Sequence, residues 1–111
     1  MRVVKTLMLV NDPESLAAYR KAHDEIWQEI TDGIRYVGIT SMELYLDGNL
    51  AVMVMEYPDG LDIDKAMARL ATLPRQQEWE NFVAKYQQCD PDSTSDAKWR
   101  RMTRIFSLPK P

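Results

Sequence analysis

An α+β fold with the element order β-α-β-β-α-β is what this 111-residue sequence predicts, and three features predict it. The first is a long amphipathic helix near the start. The second is a pair of apolar runs hinged on Asp47-Gly48. The third is a later helical region that gives way to a closing strand. Hydrophobic residues are 45% and charged residues 28% of the chain, the balance of an ordinary globular protein able to bury a core. Residues 1–111 read as a single domain.

Residues 2–10 alternate loosely and are rich in Val, Leu and Thr, which predicts a first strand. Next comes N-D-P-E-S-L, a helix start. Asp12 can accept from first-turn amides, Pro13 sits where its missing N–H costs nothing, and Glu14 favours the positive end of the dipole. Leu16, Tyr19, His23, Ile26, Trp27, Ile30 and Ile34 then recur in three- and four-residue steps. That is one face of a helix running from Pro13 to about Asp32, with Gly33 as its stop. Gly38 marks a turn.

The segment I-T-S-M-E-L-Y-L, D-G, N-L-A-V-M-V-M-E-Y reads as a hairpin in which Leu46 faces Asn49. Met42, Leu44, Leu46, Ala51, Met53, Met55 and Tyr57 would share one face. Glu43, Tyr45, Leu50, Val52, Val54 and Glu56 would share the other. Both faces are substantially apolar, so the sheet is expected to be covered on both sides, by its own helices and by a second subunit. Pro58-Asp59-Gly60 is a turn. Helical spacing returns over Asp62 to Ala71, breaks near Thr72-Leu73-Pro74, and resumes from Arg75 to about Gln88. A polar loop, Asp90 to Asp96, precedes a last strand whose Trp99, Met102 and Ile105 or Phe106 are expected to face inward. The whole is the ferredoxin-like arrangement, a four-stranded antiparallel sheet with helices on one face.

Several function classes are excluded at this stage. The net charge of −3 gives no footprint for nucleic acid, and the basic cluster Lys98, Arg100, Arg101 and Arg104 is local. A lone Cys89 leaves no internal disulfide, and with a single histidine it cannot build a zinc site. This usage fits a cytoplasmic setting. No apolar run spans a membrane, and the N-terminal stretch is too short for a signal peptide. Gly-rich phosphate loops, G-x-S-x-G and H-E-x-x-H are absent. No metal and no cofactor is expected.

What remains is a set of aromatic and polar side chains: Tyr19 and His23 from the first helix, Trp79 from the second, and Glu43 or Glu56 from the hairpin. His23 reads either as a core imidazole satisfied by backbone or as a proton donor and acceptor at a pocket wall. Aromatic rings suit the C–H face of a sugar, while hydroxyl, imidazole and carboxylate groups orient its hydroxyls.

These residues carry a resemblance. The segment A-Y-R-K-A-H-D-E-I-W-Q-E-I, then L-Y-L-D-G-N-L, W-E-N-F, D-P-D-S and I-F-S-L-P, resembles the L-rhamnose mutarotase family along nearly the whole chain. The resemblance implies a homodimeric ferredoxin-like α/β barrel that interconverts the anomers of an L-6-deoxy sugar without a cofactor. It gives His23 the role of proton donor and Tyr19 a substrate contact. The rhamnose enzymes carry a tyrosine where this chain has Met42 and a tandem tryptophan where it has Trp79-Glu80. S-M-E-L-Y-L-D-G-N, Q-E-W-E, K-Y-Q-Q and K-W look more like the L-fucose branch, so L-fucose is the expected monosaccharide, with L-rhamnose next. Mutarotation needs two proton-transfer groups. His23 is one; Glu43, Glu80, Tyr19 or an ordered water is the other. Two alternatives share the scaffold: a cofactor-independent monooxygenase or haem-handling protein, and a small-ligand-binding module in which His23 only packs.

Overall fold

The computed structural model describes residues 1–109. The chain forms β1 (Arg2–Met8), α1 (Pro13–Asp24), α2 (Gln28–Tyr36), β2 (Ser41–Asp47), β3 (Leu50–Glu56), α3 (Ile63–Leu70), α4 (Gln76–Ala84), α5 (Ser95–Lys98) and β4 (Arg100–Arg101). The strands make one sheet in the order β2-β3-β1-β4, and every neighbouring pair is antiparallel. This is the ferredoxin-like order the sequence predicts. The helices lie on the face that carries Lys5, Leu7, Ala51, Met53 and Met55, all buried, with Met42 and Leu44 half-buried beside them. Each fully buried side chain of this size contributes about 1.5–3 kcal/mol.

The first helix begins as expected. Asp12 is extended at the N-cap, its carboxylate accepts from the Ser15 amide at 3.0 Å, and Pro13 opens the helix. Its far end departs from expectation. The single helix to Asp32 is two helices, broken at Glu25–Trp27, where Trp27 takes an extended backbone. Length accounts for the break. One helix from Pro13 to Tyr36 would run about 36 Å, whereas the seven-residue strands beneath it span about 23 Å. Gly33 is not the stop but a buried residue within α2. A Cβ there would meet Leu73 Cδ1 at 3.3 Å, so its bareness lets α2 approach the α3–α4 link. The turn falls at Gly38, with φ 104.

The hairpin has the predicted faces but a different register. Leu46 pairs with Ala51, not Asn49, and Asp47 pairs with Leu50 around a Gly48-Asn49 loop. The positive φ (58) lies at Gly48, the first loop residue. A displacement of two residues leaves every side chain on its expected face, because the strand repeat is itself two.

The C-terminal region differs most. A single helical turn, α5, replaces the end of the polar loop, and the last strand is only Arg100–Arg101. Trp99 is buried as expected, but Met102, Ile105 and Phe106 are 50%, 94% and 75% exposed rather than facing inward. The Met102 amide makes the last bond to β1, to the Val4 carbonyl at 2.8 Å, and no element of the described chain covers these side chains. The second face of the sheet, with Val4, Thr6, Met8, Val52 and Val54, is half-buried and carries no helix among the described residues.

Gly38 offers a direct check. Gly38→Ala forces a side chain into φ 104 and sets its Cβ 3.2 Å from Leu61. The variant should lose about 1–3 kcal/mol, seen as a lower urea midpoint with an unchanged slope.

Candidate active site

The break between α1 and α2 leaves His23 in the last turn of α1, half-buried at the edge of the core. Its Nδ1 lies 2.9 Å from the Tyr19 carbonyl oxygen one turn earlier. A carbonyl can only accept, so Nδ1 carries the proton and donates, and the lone pair of the neutral ring stands on Nε2. Burial lowers the His23 pKa below its ordinary value of 6.5, against the opposing pull of the Tyr19 carbonyl and the Glu80 charge. At neutral pH the ring is therefore a base with one free nitrogen.

Tyr19 packs against it, ring centroids 4.6 Å apart, and Trp79 meets the imidazole edge-on at 5.4 Å. Burial pushes the Tyr19 phenol up to about 12, with the Gln87 bond pulling down and the Glu80 charge adding to the rise. The phenol stays protonated throughout the physiological range.

Beneath these rings lies a closed polar network. Lys98 Nζ reaches Glu80 Oε1 at 2.9 Å, Gln87 Oε1 at 2.8 Å and the Glu80 carbonyl at 3.1 Å. Gln76 Nε2 donates to Glu80 Oε2 at 2.7 Å, and Gln87 Nε2 donates to the Tyr19 hydroxyl at 3.2 Å. The side chain of Lys98 is fully buried and that of Glu80 is 8% exposed. Lys98 arrives there because Thr94 caps α5 by accepting from the Ala97 amide, and Lys5 anchors the same turn through Asp96 at 3.0 Å. A buried pair of this kind is weak as a source of stability, since apolar replacement of both partners often serves as well.

Tyr19, His23, Met42, Trp79, Glu80 and Gln87 line a cavity of about 50 Å³ between the helices and the sheet. Through His23, Ile26, Ile34, Met42 and Leu44 it shares walls with an open groove of about 410 Å³. A second opening of about 430 Å³ passes Tyr19, His23 and Tyr45. Five of the residues singled out from the sequence, Tyr19, His23, Met42, Trp79 and Glu80, thus meet at one place.

Two others do not. Trp27 stands behind Trp79, ring centroids 5.2 Å apart, with the Arg75 guanidinium 4.1 Å above it. Arg75 also pairs with Glu29 at 2.8 Å, which braces α2 against α4. Glu43 points to the opposite face of the sheet and accepts from the Tyr45 hydroxyl at 3.1 Å. Glu56 shares that face and pairs with Arg2 at 2.9 Å. Gln76, Gln87 and Lys98 were missed from the sequence. Gln76, Glu80, Val83 and Gln87 do follow one another in helical steps, a polar stripe through an apolar face that could have revealed two of them. Among the described residues no three His, Cys, Asp or Glu side chains are grouped to hold a metal, and no helix is long and apolar enough to cross a membrane.

Residues 2–108 match the family described as L-rhamnose mutarotase. The chain belongs to that family. It belongs with it to the isomerases that act on sugar anomers. An L-fucose mutarotase of Xanthomonas campestris pv. campestris is 33% identical over 109 residues, which cover 96% of this chain and 87% of the relative. An L-rhamnose mutarotase of Jannaschia sp. is 30% identical over 100 residues, covering 87% and 89%. The crystal structure of an L-rhamnose mutarotase from Formosa agariphila superposes with a TM-score of 0.74 at 19% identity, covering 96% of this chain and 97% of that one. That likeness shows the shared fold.

The lowered His23 pKa has a signed consequence for stability. Above about pH 6.5 neither the folded nor the unfolded state binds the proton, and the contribution is complete. It is lost as the pH falls through the folded-state value, because the unfolded chain takes the proton first. From about pH 7.5 to about pH 5, wild type should therefore lose more of its urea midpoint than His23→Gln does.

Proposed function

We propose that this mutarotase acts on L-6-deoxy sugars, with L-fucose preferred over L-rhamnose, and that His23 and Tyr19 carry the proton transfers. The observation that carries the reading is the opposed polarity of these two side chains: a free acceptor at His23 Nε2 and a neutral phenol beside it. His23 takes the proton of the anomeric hydroxyl. The electron pair left on that oxygen forms the aldehyde carbonyl as the bond from the anomeric carbon to the ring oxygen breaks. The ring oxygen takes a proton from the Tyr19 hydroxyl. Rotation of the open chain and the reverse steps close the ring on the other face, and both side chains return to their starting states.

The cavity of about 50 Å³ suits ordered water more than a whole sugar, while the adjoining groove of about 410 Å³ is of ligand-binding size. The sugar would lie in the groove with its reacting oxygens toward His23, at the mouth of the cavity that Tyr19, Trp79 and Glu80 line. The preference for L-fucose is supported by Met42 and Glu80, which stand where the rhamnose enzymes carry aromatic residues. A homodimer belongs to the same reading: the uncovered strand face with Val4, Val52 and Val54, and the exposed Ile105, Phe106 and Leu108, suit a second copy of the chain. The lone Cys89 is compatible with the cytoplasm. A net charge of −3 argues against a nucleic-acid partner.

Saturation-transfer NMR on L-fucose and L-rhamnose tests the activity. Wild type should accelerate anomer exchange, and His23→Ala should lower the rate by about 100-fold or more while keeping its fold and association state. Exchange at the buffer rate for both sugars would remove the substrate from this reading. Met42→Tyr should move the preference toward L-rhamnose by about 10-fold, and an unchanged ratio would count against Met42 as a specificity position.

A further inference from the structure

We propose that Lys98 is a positioning residue that sets the direction of the hydrogen bonds around Tyr19, so that the phenol meets the sugar only as a donor. Neither the amphipathic pattern nor the family likeness assigns this lysine a role. Its Nζ has three protons, and three acceptors take them: Gln87 Oε1, Glu80 Oε1 and the Glu80 carbonyl. An ammonium only donates, so Gln87 must turn its carbonyl oxygen toward Lys98. Its NH₂ group is then the end that faces Tyr19, 3.2 Å from the hydroxyl oxygen. That oxygen accepts from Gln87, which leaves the phenolic proton for the cavity.

His23 is fixed in the opposite sense by the Tyr19 carbonyl, which holds the proton on Nδ1. The two side chains, 4.6 Å apart by ring centroid, therefore offer one donor and one acceptor. An anomeric hydroxyl that gives a proton and a ring oxygen that receives one need that combination. With an apolar side chain at position 98, the Gln87 amide is held at its Oε1, among the described residues, only by the weak thiol donor of Cys89 at 3.9 Å. It is free to turn its oxygen to the phenol, and Tyr19 then donates to Gln87 instead of to the sugar. The catalytic consequence rests on the mutarotase reading; the bond direction does not.

The test compares ligand-free wild type, Lys98→Met and Gln87→Glu, each labelled with ¹³C at tyrosine Cζ, by NMR at neutral pH. A carboxylate at position 87 still accepts from Lys98 but can only accept from Tyr19, so Gln87→Glu defines the resonance of a phenol that donates inward. Lys98→Met should move the Tyr19 Cζ resonance from the wild-type position to the Gln87→Glu position. A resonance that stays at the wild-type position would overturn the proposal.

With sugar present, Gln87→Glu and Lys98→Met should each lower kcat by about 100-fold with KM within about 2-fold of wild type. Unchanged kcat in a variant whose resonance has moved would overturn the catalytic role. Where Lys98→Met fails to fold because Glu80 is left unpaired, Lys98→Met/Glu80→Gln removes the buried charge and carries the resonance comparison, while Gln87→Glu carries the kinetics. A wild type that exchanges neither sugar would sink the mutarotase reading, and the resonances would still decide whether Lys98 orients Tyr19.

Discussion

Everything in the site depends on one buried cation having all of its protons taken. A lysine held away from water must satisfy three N–H groups or lose several kcal/mol to desolvation. Lys98 does so with two side chains and a main-chain carbonyl, and each of those is thereby constrained. Glu80 is held by Lys98 on one oxygen and by Gln76 on the other. Gln87 is committed at both ends. The aromatic walls, Trp79 backed by Trp27 and Phe82, then pack around a floor whose polar atoms have no freedom to rearrange.

The helix break does complementary work from above. Had the chain continued as one helix through Trp27, His23 would sit mid-helix with its ring along the shaft. Ending α1 at Asp24 sets the imidazole at a corner, where the cavity and the two openings meet it, with Ile26 beside it on the shared wall. Arg75 holds that corner from outside. It spans Glu29, Glu78 and the Trp27 ring from a left-handed backbone position with φ 67.

Much of this was legible in the sequence, and the failures have physical reasons. Strand faces, the hairpin, the sheet order and the candidacy of Tyr19, His23 and Trp79 follow from periodicity and topology, because a repeat of two or of 3.6 residues fixes which side chains share a face, whereas Met42 and Glu80 came from the family resemblance. The position of the helix break did not follow, since periodicity tells how residues share a face and not how long the underlying sheet will be. The hairpin register slipped because Asp-Gly and Gly-Asn are both able to supply a two-residue loop. Glu43 stood among the candidate proton-transfer groups, and the alternation of β2 sends it to the side away from His23. Lys98 was invisible: a charged residue beside a tryptophan in a polar stretch reads as solvated, and only the fold shows it enclosed. The C-terminal apolar residues read as a strand because their pattern is strand-like, yet the last bond to β1 comes from the Met102 amide.

The stitch between Lys5 and Asp96 joins residues 91 positions apart. It fastens the turn that delivers Lys98 to the first strand of the sheet. His23 is synthesised early, but its surroundings cannot form until Asp96 and Lys98 are available to close that loop. On the ribosome, then, the core helices and hairpin can assemble while the site is still without a floor. The floor should appear abruptly once Asp96 and Lys98 are available rather than grow in proportion to length, and a fragment that stops before them would lack it altogether.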